Sequence, residues 1–170
     1  VVIDLRTKGY PPSNIVIRST VPVGTSESLN VNFMPEFLSE RNWQNDVKNA
    51  TDWVIGCSDP DDQAFKDKVN LLLDTAPINK EHNRHFVTTS EAEMSKYVRN
   101  CYLATKISYF NEVKEFCNTK NVDWENVREL TILDDRVGES HTHVPGPDGK
   151  MGYGGSCFPK DIQAMINFMN

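Results

Sequence analysis

The chain has 170 residues, of which 38% are hydrophobic, and its formal net charge is −6. This length gives room for one ordinary domain or two small ones, and no apolar run approaches the roughly 18 to 20 residues that a membrane-spanning helix needs. The acidic balance argues against nucleic acid as a partner, because phosphate binding needs clustered lysine and arginine.

The cysteine and histidine pattern gives no sign of a metal site. The four cysteines lie far apart and form no C-x-x-C pair, so neither a zinc site nor a disulfide framework is indicated. His141 and His143 form an H-x-H pair for which the sequence offers no third ligand, and no metal is expected. No secretion signal is visible, and we expect a reducing, cytoplasmic compartment.

The first half of the chain alternates strand and helix signals. Strands are predicted at residues 14–20, 31–33, 52–58 and 85–90, and an amphipathic helix is predicted at 59–76. This alternation favours an α/β fold with a parallel sheet covered by helices. Ligands of such sheets bind at the carboxyl ends of the strands, so Thr20 and Glu36, each just past a strand, are expected near a crevice. No G-x-G-x-x-G turn is present.

The second half is predicted to be mostly helical. A long helix is expected from Ser90 to about Thr119, because this stretch contains no Gly or Pro, and Ser90 and Glu93 supply a capping-box pattern. A second helix is expected from Asp123, followed by a Gly- and Pro-rich loop at 136–155. The long helix carries an apolar stripe of Met94, Val98, Tyr102, Tyr109, Val113 and Phe116.

A second, mostly polar stripe runs beside the apolar one on the long helix. Its residues are spaced four apart and therefore share one face: Lys96, Asn100, Ala104 and Ser108. Two interpretations are equally favoured, a solvated flank of the helix and a groove that receives a polar ligand.

The stretch GYGGSCFPKD, residues 152–161, surrounds one cysteine with glycines and a Pro-Lys-Asp sequence. Pro159 suits the start of a helix. Cys157 would then stand just before a helix N-terminus and beside Lys160, and both features favour a thiolate nucleophile. A buried structural cysteine in a Gly-rich turn is an equally good interpretation of this local pattern.

Four blocks, in this order, resemble the nucleotide-sugar 6-dehydrogenases: STVPVGT, MPEFLSE, EMSKYVRNCYLATKISYFNE and GYGGSCFPKD. The resemblance implies that residues 1–89 are the C-terminal portion of a Rossmann-like NAD-binding domain. It implies that residues 90–170 are a mostly helical central domain, which forms a homodimer through its long helix. The family's Gly-rich NAD loop and its C-terminal nucleotide-binding domain are not in this sequence, which we expect to be a fragment.

The same resemblance implies a two-step, NAD-dependent oxidation of the C6 alcohol of a nucleotide sugar to a carboxylate. Cys157 is expected to attack the intermediate aldehyde and to carry the resulting thioester. Lys96 is expected to stabilise the developing oxyanion, Asn100 to orient the site, and Asp161 to act with Lys96 and a water in proton transfer. Glu36 is the expected base in thioester hydrolysis.

The resemblance also implies binding residues. Thr20 is expected to hold the catalytic water and to lie near the cofactor with Lys160, and Glu40 is a weaker candidate beside Glu36. Arg136 is expected to reach the sugar site of the neighbouring subunit. The implied substrate-binding residues are Glu36, Phe37, Leu38, Lys96, Asn100, Arg136, Tyr153 and Gly154.

Substrate and activity are left with alternatives. UDP-glucose is the expected sugar, and GDP-mannose and a UDP-N-acetylhexosamine are the alternatives. An Arg-Asn pair, Arg41 and Asn42, replaces the small residues common at this point in the family. An inert dimerisation module that retains the site residues is the alternative to an enzyme. The 170-residue chain alone is predicted to be inactive, because it lacks the glycine loop that binds the pyrophosphate.

Overall fold

The computed structural model describes residues 1–39 and 42–169. The chain divides into two compact units, Val1–Lys96 and Tyr97–Asn170. Within the described residues, no helix is both long enough and apolar enough to cross a membrane.

The helices and strands follow the predicted order. The elements of the first unit are α1 Val2–Thr7, a 3-10 turn Pro12–Asn14, β1 Val16–Ile17, α2 Thr25–Ser28, β2 Asn32–Phe33, α3 Trp43–Lys48, β3 Asp52–Cys57, α4 Gln63–Thr75 and β4 Asn83–Thr88. They are followed by α5 Thr89–Thr119, α6 Trp124–Thr131 and α7 Phe158–Met169. The predicted α/β class with one long helix is confirmed, although β1 has two residues where seven were predicted and β2 is one residue shorter than predicted.

The four strands form one sheet in the order β1-β2-β3-β4. β1 and β2 are parallel, and β3 and β4 are parallel over the whole length of both strands. β2 and β3 are antiparallel, with Phe33 opposite Gly56, so the prediction of a wholly parallel sheet is wrong at this pair. Alternating strand and helix signals do not fix the direction of a strand as short as β2, and this is why the sequence missed it.

The core of the first unit lies between β3 and α4. Alternate residues of β3 point to it, and α4 contributes residues spaced four apart. Asp62 caps α4 by accepting a hydrogen bond from the Phe65 N–H at 2.9 Å. The buried members of this core are Met34, Trp53, Ile55, Cys57, Phe65, Val69 and Leu73.

Gly56 lets the first turn of α5 approach the sheet closely. A Cβ at this position would lie 2.9 Å from both the Thr89 Cα and the Ala92 Cβ, and 3.3 Å from the Phe33 carbonyl oxygen. Two of these three atoms belong to the backbone, which cannot move aside as a flexible side chain would. The absence of a side chain at Gly56 therefore sets where α5 begins.

The capping box of α5 is formed by Thr88 and Glu91, and the predicted Ser90–Glu93 box is wrong. Thr88 N–H donates to the Glu91 carboxylate at 2.8 Å, and Glu91 N–H donates to the Thr88 hydroxyl at 3.3 Å. Both pairs fit the S/T-x-x-E spacing. The true start is the earlier one, because β4 ends at Thr88 and the chain turns directly into the helix.

In the second unit, α5 and α6 pack through an aromatic pair. Phe110 and Trp124 are both buried, with ring centroids 6.0 Å apart, and Cys117 and Val144 complete the cluster. The side chain of Asp123 caps α6 by accepting hydrogen bonds from the first turn, so the helix begins one residue after the predicted start.

The long loop between α6 and α7 is bound to α5 by polar side chains that reach its main chain. The Lys106 ammonium donates to three carbonyl oxygens between residues 137 and 140, at 2.5 to 3.1 Å. Lys114 donates to the Val144 carbonyl oxygen at 2.7 Å, and Asn111 accepts from the Gly152 N–H at 2.7 Å. The Gly- and Pro-rich segment is thus ordered along α5 without a helix or strand of its own.

Candidate active site

Thr20 and Glu36 lie at the same edge of the sheet. Each stands three residues past its strand, β1 or β2, and these two strands run in the same direction. The carboxyl ends of parallel strands meet at one edge, which is where ligands bind in open α/β sheets. The parallel pairing of β1 and β2 agrees with the expected position of both residues at one edge, and the crevice itself stays a prediction.

Lys96 is buried in the first unit and bound to Glu36. Only 2% of the residue is exposed, and its ammonium forms an ion pair with the Glu36 carboxylate. It also donates to the Glu36 carbonyl oxygen at 3.0 Å, while the Leu38 N–H donates to the carboxylate at 3.1 Å. The interpretation of Lys96 as part of a solvated flank is therefore wrong. A buried, fixed cation of this kind can stabilise a developing negative charge.

Glu93 is a buried site residue to which the sequence assigned only a cap. The residue is 1% exposed, and its two carboxylate oxygens accept hydrogen bonds from the Gly24 and Ser26 N–H groups. It lies three positions before Lys96, so both side chains leave the same face of α5. The three-residue spacing from Lys96 could have indicated this position, but the sequence pattern assigned Glu93 to a capping box instead.

Asn100, Lys160 and Asp161 meet in the second unit. Asp161 is fully buried, and its carboxylate accepts from the Asn100 amide at 2.5 Å and from the Lys160 ammonium at 2.6 Å. Each oxygen has a different donor, so the carboxylate is held at a fixed orientation. The arrangement fixes a buried carboxylate between an amide and an ammonium group.

Cys157 stands immediately before α7 and is exposed. Its carbonyl oxygen accepts the Asp161 N–H at 3.1 Å, which closes the first turn of the helix. The alternative of a buried structural cysteine is therefore wrong. By contrast, Cys57 is buried and Cys101 is half-buried, and burial raises the pKa of both thiols.

The predicted sugar-binding residues of the second unit lie in the loop between α6 and α7. Arg136 is 90% exposed at its side chain and pairs with Asp134, from Nε to both carboxylate oxygens at 2.9 and 3.1 Å. The hydrogen bonds between them lower the pKa of Asp134 and raise that of Arg136. Tyr153 is half-buried and Gly154 is exposed.

The candidate residues thus fall into two groups, one in each unit. The group of the first unit is Thr20, Glu36, Phe37, Leu38 and Lys96, and that of the second is Asn100, Arg136, Tyr153, Gly154, Cys157, Lys160 and Asp161. Glu40 lies outside the described residues. Among residues 1–39 and 42–169, no three His, Cys, Asp or Glu side chains form a group that could hold a metal ion.

An α/β unit followed by a helical unit with one long helix is the fold of nucleotide-sugar dehydrogenases. The structure of a UDP-glucose dehydrogenase from Pyrobaculum islandicum is similar over 90% of this chain and 36% of that chain, with a TM-score of 0.72 and 33% sequence identity. Residues 90–170 match the central domain of the UDP-glucose/GDP-mannose dehydrogenase family, which assigns this segment of the chain to that family.

Curated relatives agree with this assignment. The UDP-glucose 6-dehydrogenase of Pseudomonas aeruginosa is 37% identical in an alignment that covers 89% of this chain and 35% of the relative. That of Rickettsia prowazekii is 34% identical, over 91% of this chain and 36% of the relative. The chain spans about a third of the length of the curated relatives it matches. The predicted family resemblance is confirmed.

Proposed function

We propose that this chain is part of a longer, NAD-dependent nucleotide-sugar 6-dehydrogenase, which oxidises the C6 alcohol of UDP-glucose to a carboxylate. The observation that carries the proposal is Cys157, exposed at the start of α7 and four residues before the buried Asp161. The names of the relatives and of the similar structure support the sugar. Residues 1–89 would be the C-terminal portion of the NAD-binding domain, and residues 90–170 the central domain.

The resemblance implies two residues that would contact the dinucleotide, one in each unit. Thr20 lies just past the end of β1, and the Lys160 ammonium is half exposed although it contacts Asp161. The glycine turn that approaches a pyrophosphate is not in this sequence. NAD, when bound, supplies the hydride acceptor.

Cys157 would be the nucleophile that forms the covalent intermediate. Its thiolate adds to the C6 aldehyde, a C–S bond forms, and the thiohemiacetal becomes a thioester when it is oxidised. Water then cleaves the C–S bond, which releases the carboxylate and returns the thiol. A covalent route is needed because the aldehyde carries no readily transferred second hydride until a nucleophile adds to it.

The charged side chains would stabilise the oxyanion and transfer protons. Lys96 is fixed in place by Glu36 and would stabilise the oxygen that becomes negative as Cys157 adds. Asp161, held by Asn100, would orient the site and exchange a proton through a water.

Thioester hydrolysis would be assisted from the edge of the sheet. Thr20 would hold the attacking water and Glu36 would take its proton, since both lie where β1 and β2 end. The remaining candidates would bind the sugar nucleotide: Phe37 and Leu38 at this edge, Tyr153 and Gly154 in the loop before Cys157, and Arg136 by reaching the sugar site of a neighbouring subunit. GDP-mannose and a UDP-N-acetylhexosamine are the alternative substrates.

A homodimer through α5 is supported by apolar side chains that the second unit leaves exposed. Val98, Tyr102, Tyr109 and Phe116 are 55% to 61% exposed. Their spacing of four, seven and seven residues places them on one stripe, as at a helix–helix interface. A second copy of α5 would cover this stripe.

The test is NADH release by the native-length protein with UDP-glucose, GDP-mannose and UDP-N-acetylglucosamine in turn. About two NADH per sugar from one of them would establish the four-electron oxidation and name the substrate. No NADH from a folded dimer would favour the inert module. The 170-residue chain alone is expected to release none, and detectable turnover by it would contradict the proposal that the missing glycine loop is required.

A further inference from the structure

We propose that Glu93 is a positioning residue for the water-dependent half of this reaction. Its carboxylate holds the turn at residues 22–26, and this turn fixes Thr20 at the edge of the sheet. The inference rests on the proposed function, because it concerns the step in which water cleaves the thioester.

Glu93 supplies the cap that α2 lacks. Gly24 is the N-cap residue of this helix and has no side chain with which to cap it, and its φ of 88° lies in the left-handed region. Glu93 accepts the Gly24 N–H at 2.6 Å with one oxygen and the Ser26 N–H at 2.9 Å with the other. Hydrogen bonds to an ionised acceptor are about twice as strong as neutral ones. A buried carboxylate thus fixes both amides at once.

The fixed turn reaches Thr20 through a short and stiff connection. Thr25 N–H donates to the Pro22 carbonyl oxygen at 3.1 Å, which closes the turn. Pro22 has a fixed φ and also restricts the residue before it, so few torsions are free between the turn and Thr20. Thr20 is therefore held from one side by β1 and from the other by the turn that Glu93 binds.

One face of α5 controls both loops at the crevice. Glu93 binds the loop after β1, and Lys96, one helical turn on, binds Glu36 in the loop after β2. Both oxygens of the Glu93 carboxylate are occupied by main-chain donors. Its effect on the reaction would pass through Thr20 and the water that Thr20 holds.

The substitution Glu93→Gln tests this role in the native-length protein. The glutamine NH2 would face one of the two N–H donors, so one hydrogen bond and the negative charge are lost and the turn shifts. A displacement on the order of 1 Å costs about 100-fold in rate. We expect kcat to fall by about 10- to 100-fold while kcat/KM for the sugar stays unchanged, because the oxidations precede the slowed hydrolysis.

Slow hydrolysis would give a kinetic pattern of NADH release that a general loss of folded protein would not give. With NAD+ in excess, Glu93→Gln should release a burst of about two NADH per site, followed by a slow phase, while Cys157 accumulates as a thioester. The burst is followed by stopped flow and the thioester by peptide mass. Glu91→Gln is the matched control, since it makes the same change in the first turn of α5 at a carboxylate that binds Thr88 and not the turn at residues 22–26.

Gly24→Ala provides a second route to the same displacement. It leaves Glu93 in place and strains the left-handed backbone of the turn, so it should give the same burst and the same accumulation. Loss of NADH without a burst or a thioester, in both variants, would overturn the positioning role. So would a normal rate in both.

A readout without turnover separates this inference from the proposed function. In the 170-residue chain, Glu93→Gln should raise hydrogen exchange of the Gly24 and Ser26 amides more than tenfold relative to Glu91→Gln, with the β3 and β4 amides unchanged. Unchanged exchange at Gly24 and Ser26 would contradict the contact itself. The exchange could be faster in Glu93→Gln while the wild-type native-length protein releases no NADH. That result would contradict the proposed function, and with it the role of Glu93 in hydrolysis.

Discussion

The buried ion pair of Lys96 and Glu36 is asymmetric, and the asymmetry decides what each side chain contributes. The lysine side chain is 3% exposed, and the glutamate side chain is 33% exposed. If the lysine is lost, water can reach the carboxylate, but if the glutamate is lost, water cannot reach the ammonium. Loss of the pair therefore costs more free energy when Lys96 is left without its partner than when Glu36 is.

We predict that Glu36→Ala destabilises the chain more than Lys96→Met does. Glu36→Ala leaves a buried charge without its partner, which costs about 3 kcal/mol of unfolding free energy. Lys96→Met leaves a carboxylate that water can solvate and a buried apolar side chain of similar length, and should cost about 1 kcal/mol. Urea denaturation of the three proteins measures both values. Equal losses, or a larger loss for Lys96→Met, would contradict this account of burial.

Cys157 should be the thiol that reacts first with a limiting amount of iodoacetamide. It is exposed, whereas Cys57 and Cys117 are buried, and the raised pKa of Cys57 and Cys101 lowers their thiolate fraction at neutral pH. Labelling of these two should rise only as the pH passes above the ordinary range of a thiol. Peptide mass mapping gives the order, and Cys157→Ser should remove the fast phase while Cys101→Ser preserves it. Preferential labelling of Cys57 or Cys117 would refute the prediction.

For single residues, the sequence predicted where a side chain lies on its helix better than it predicted what that side chain contacts. Cys157 before a helix and Lys96 on the face of a long helix both follow from local patterns. That Lys96 binds Glu36 does not, because 60 residues separate them and no local pattern reports the contact. Glu93 was missed for a different reason, since two overlapping capping-box patterns compete and only the end of β4 decides between them.

At the scale of elements, α5 depends on what lies beneath its first turn. The Thr89 backbone and the Ala92 side chain rest against β3 at Gly56. The helix signal is strong because Gly and Pro are absent, and this is why the long helix could be predicted within one residue. The strands β1 and β2 are two residues long, and their length and the direction of β2 relative to β3 depend on pairing that no short window of sequence contains.

Gly56→Ala should therefore loosen the packing of α5 on the sheet. The added methyl would meet two atoms at 2.9 Å, and overpacking of this kind costs about 1 to 3 kcal/mol of unfolding free energy. Gly154→Ala is the control, since its nearest atom would be 4.0 Å away and its loss should be within about 0.5 kcal/mol. Thermal and urea unfolding compare the two variants. A Gly56→Ala protein as stable as the control would show that α5 can shift without cost.

At the scale of the whole molecule, the second unit exposes apolar surface along α5. Exposed apolar side chains are ordinary when scattered, but a stripe at the spacing of a helix–helix interface indicates a partner. The sequence predicted this stripe from its period, but it also included Val113, which packs against the core of the unit. Its exposure is a tertiary property, because it depends on which other face of α5 the rest of the unit covers.

The chain is predicted to be a dimer at micromolar concentration, by sedimentation velocity. Tyr109→Asp places a charge in the middle of the exposed stripe and should give a monomer, because an unpaired buried charge is costly at an interface. Asn118→Asp adds the same charge on a different, exposed face of α5 and should remain a dimer. A monomeric wild-type chain, or a Tyr109→Asp variant that still dimerises, would count against the α5 interface.

The side chains of α5 that bind the long loop bear on how freely that loop can change. Lys106, Asn111 and Lys114 all bind main-chain groups of the loop, carbonyl oxygens or an N–H, and none of these bonds uses a loop side chain. Every amino acid but proline offers the same main-chain groups. Exposed residues of the loop can therefore be exchanged while these bonds, and the path that leads to Cys157, stay the same, whereas Val144 is constrained by its place in the buried core.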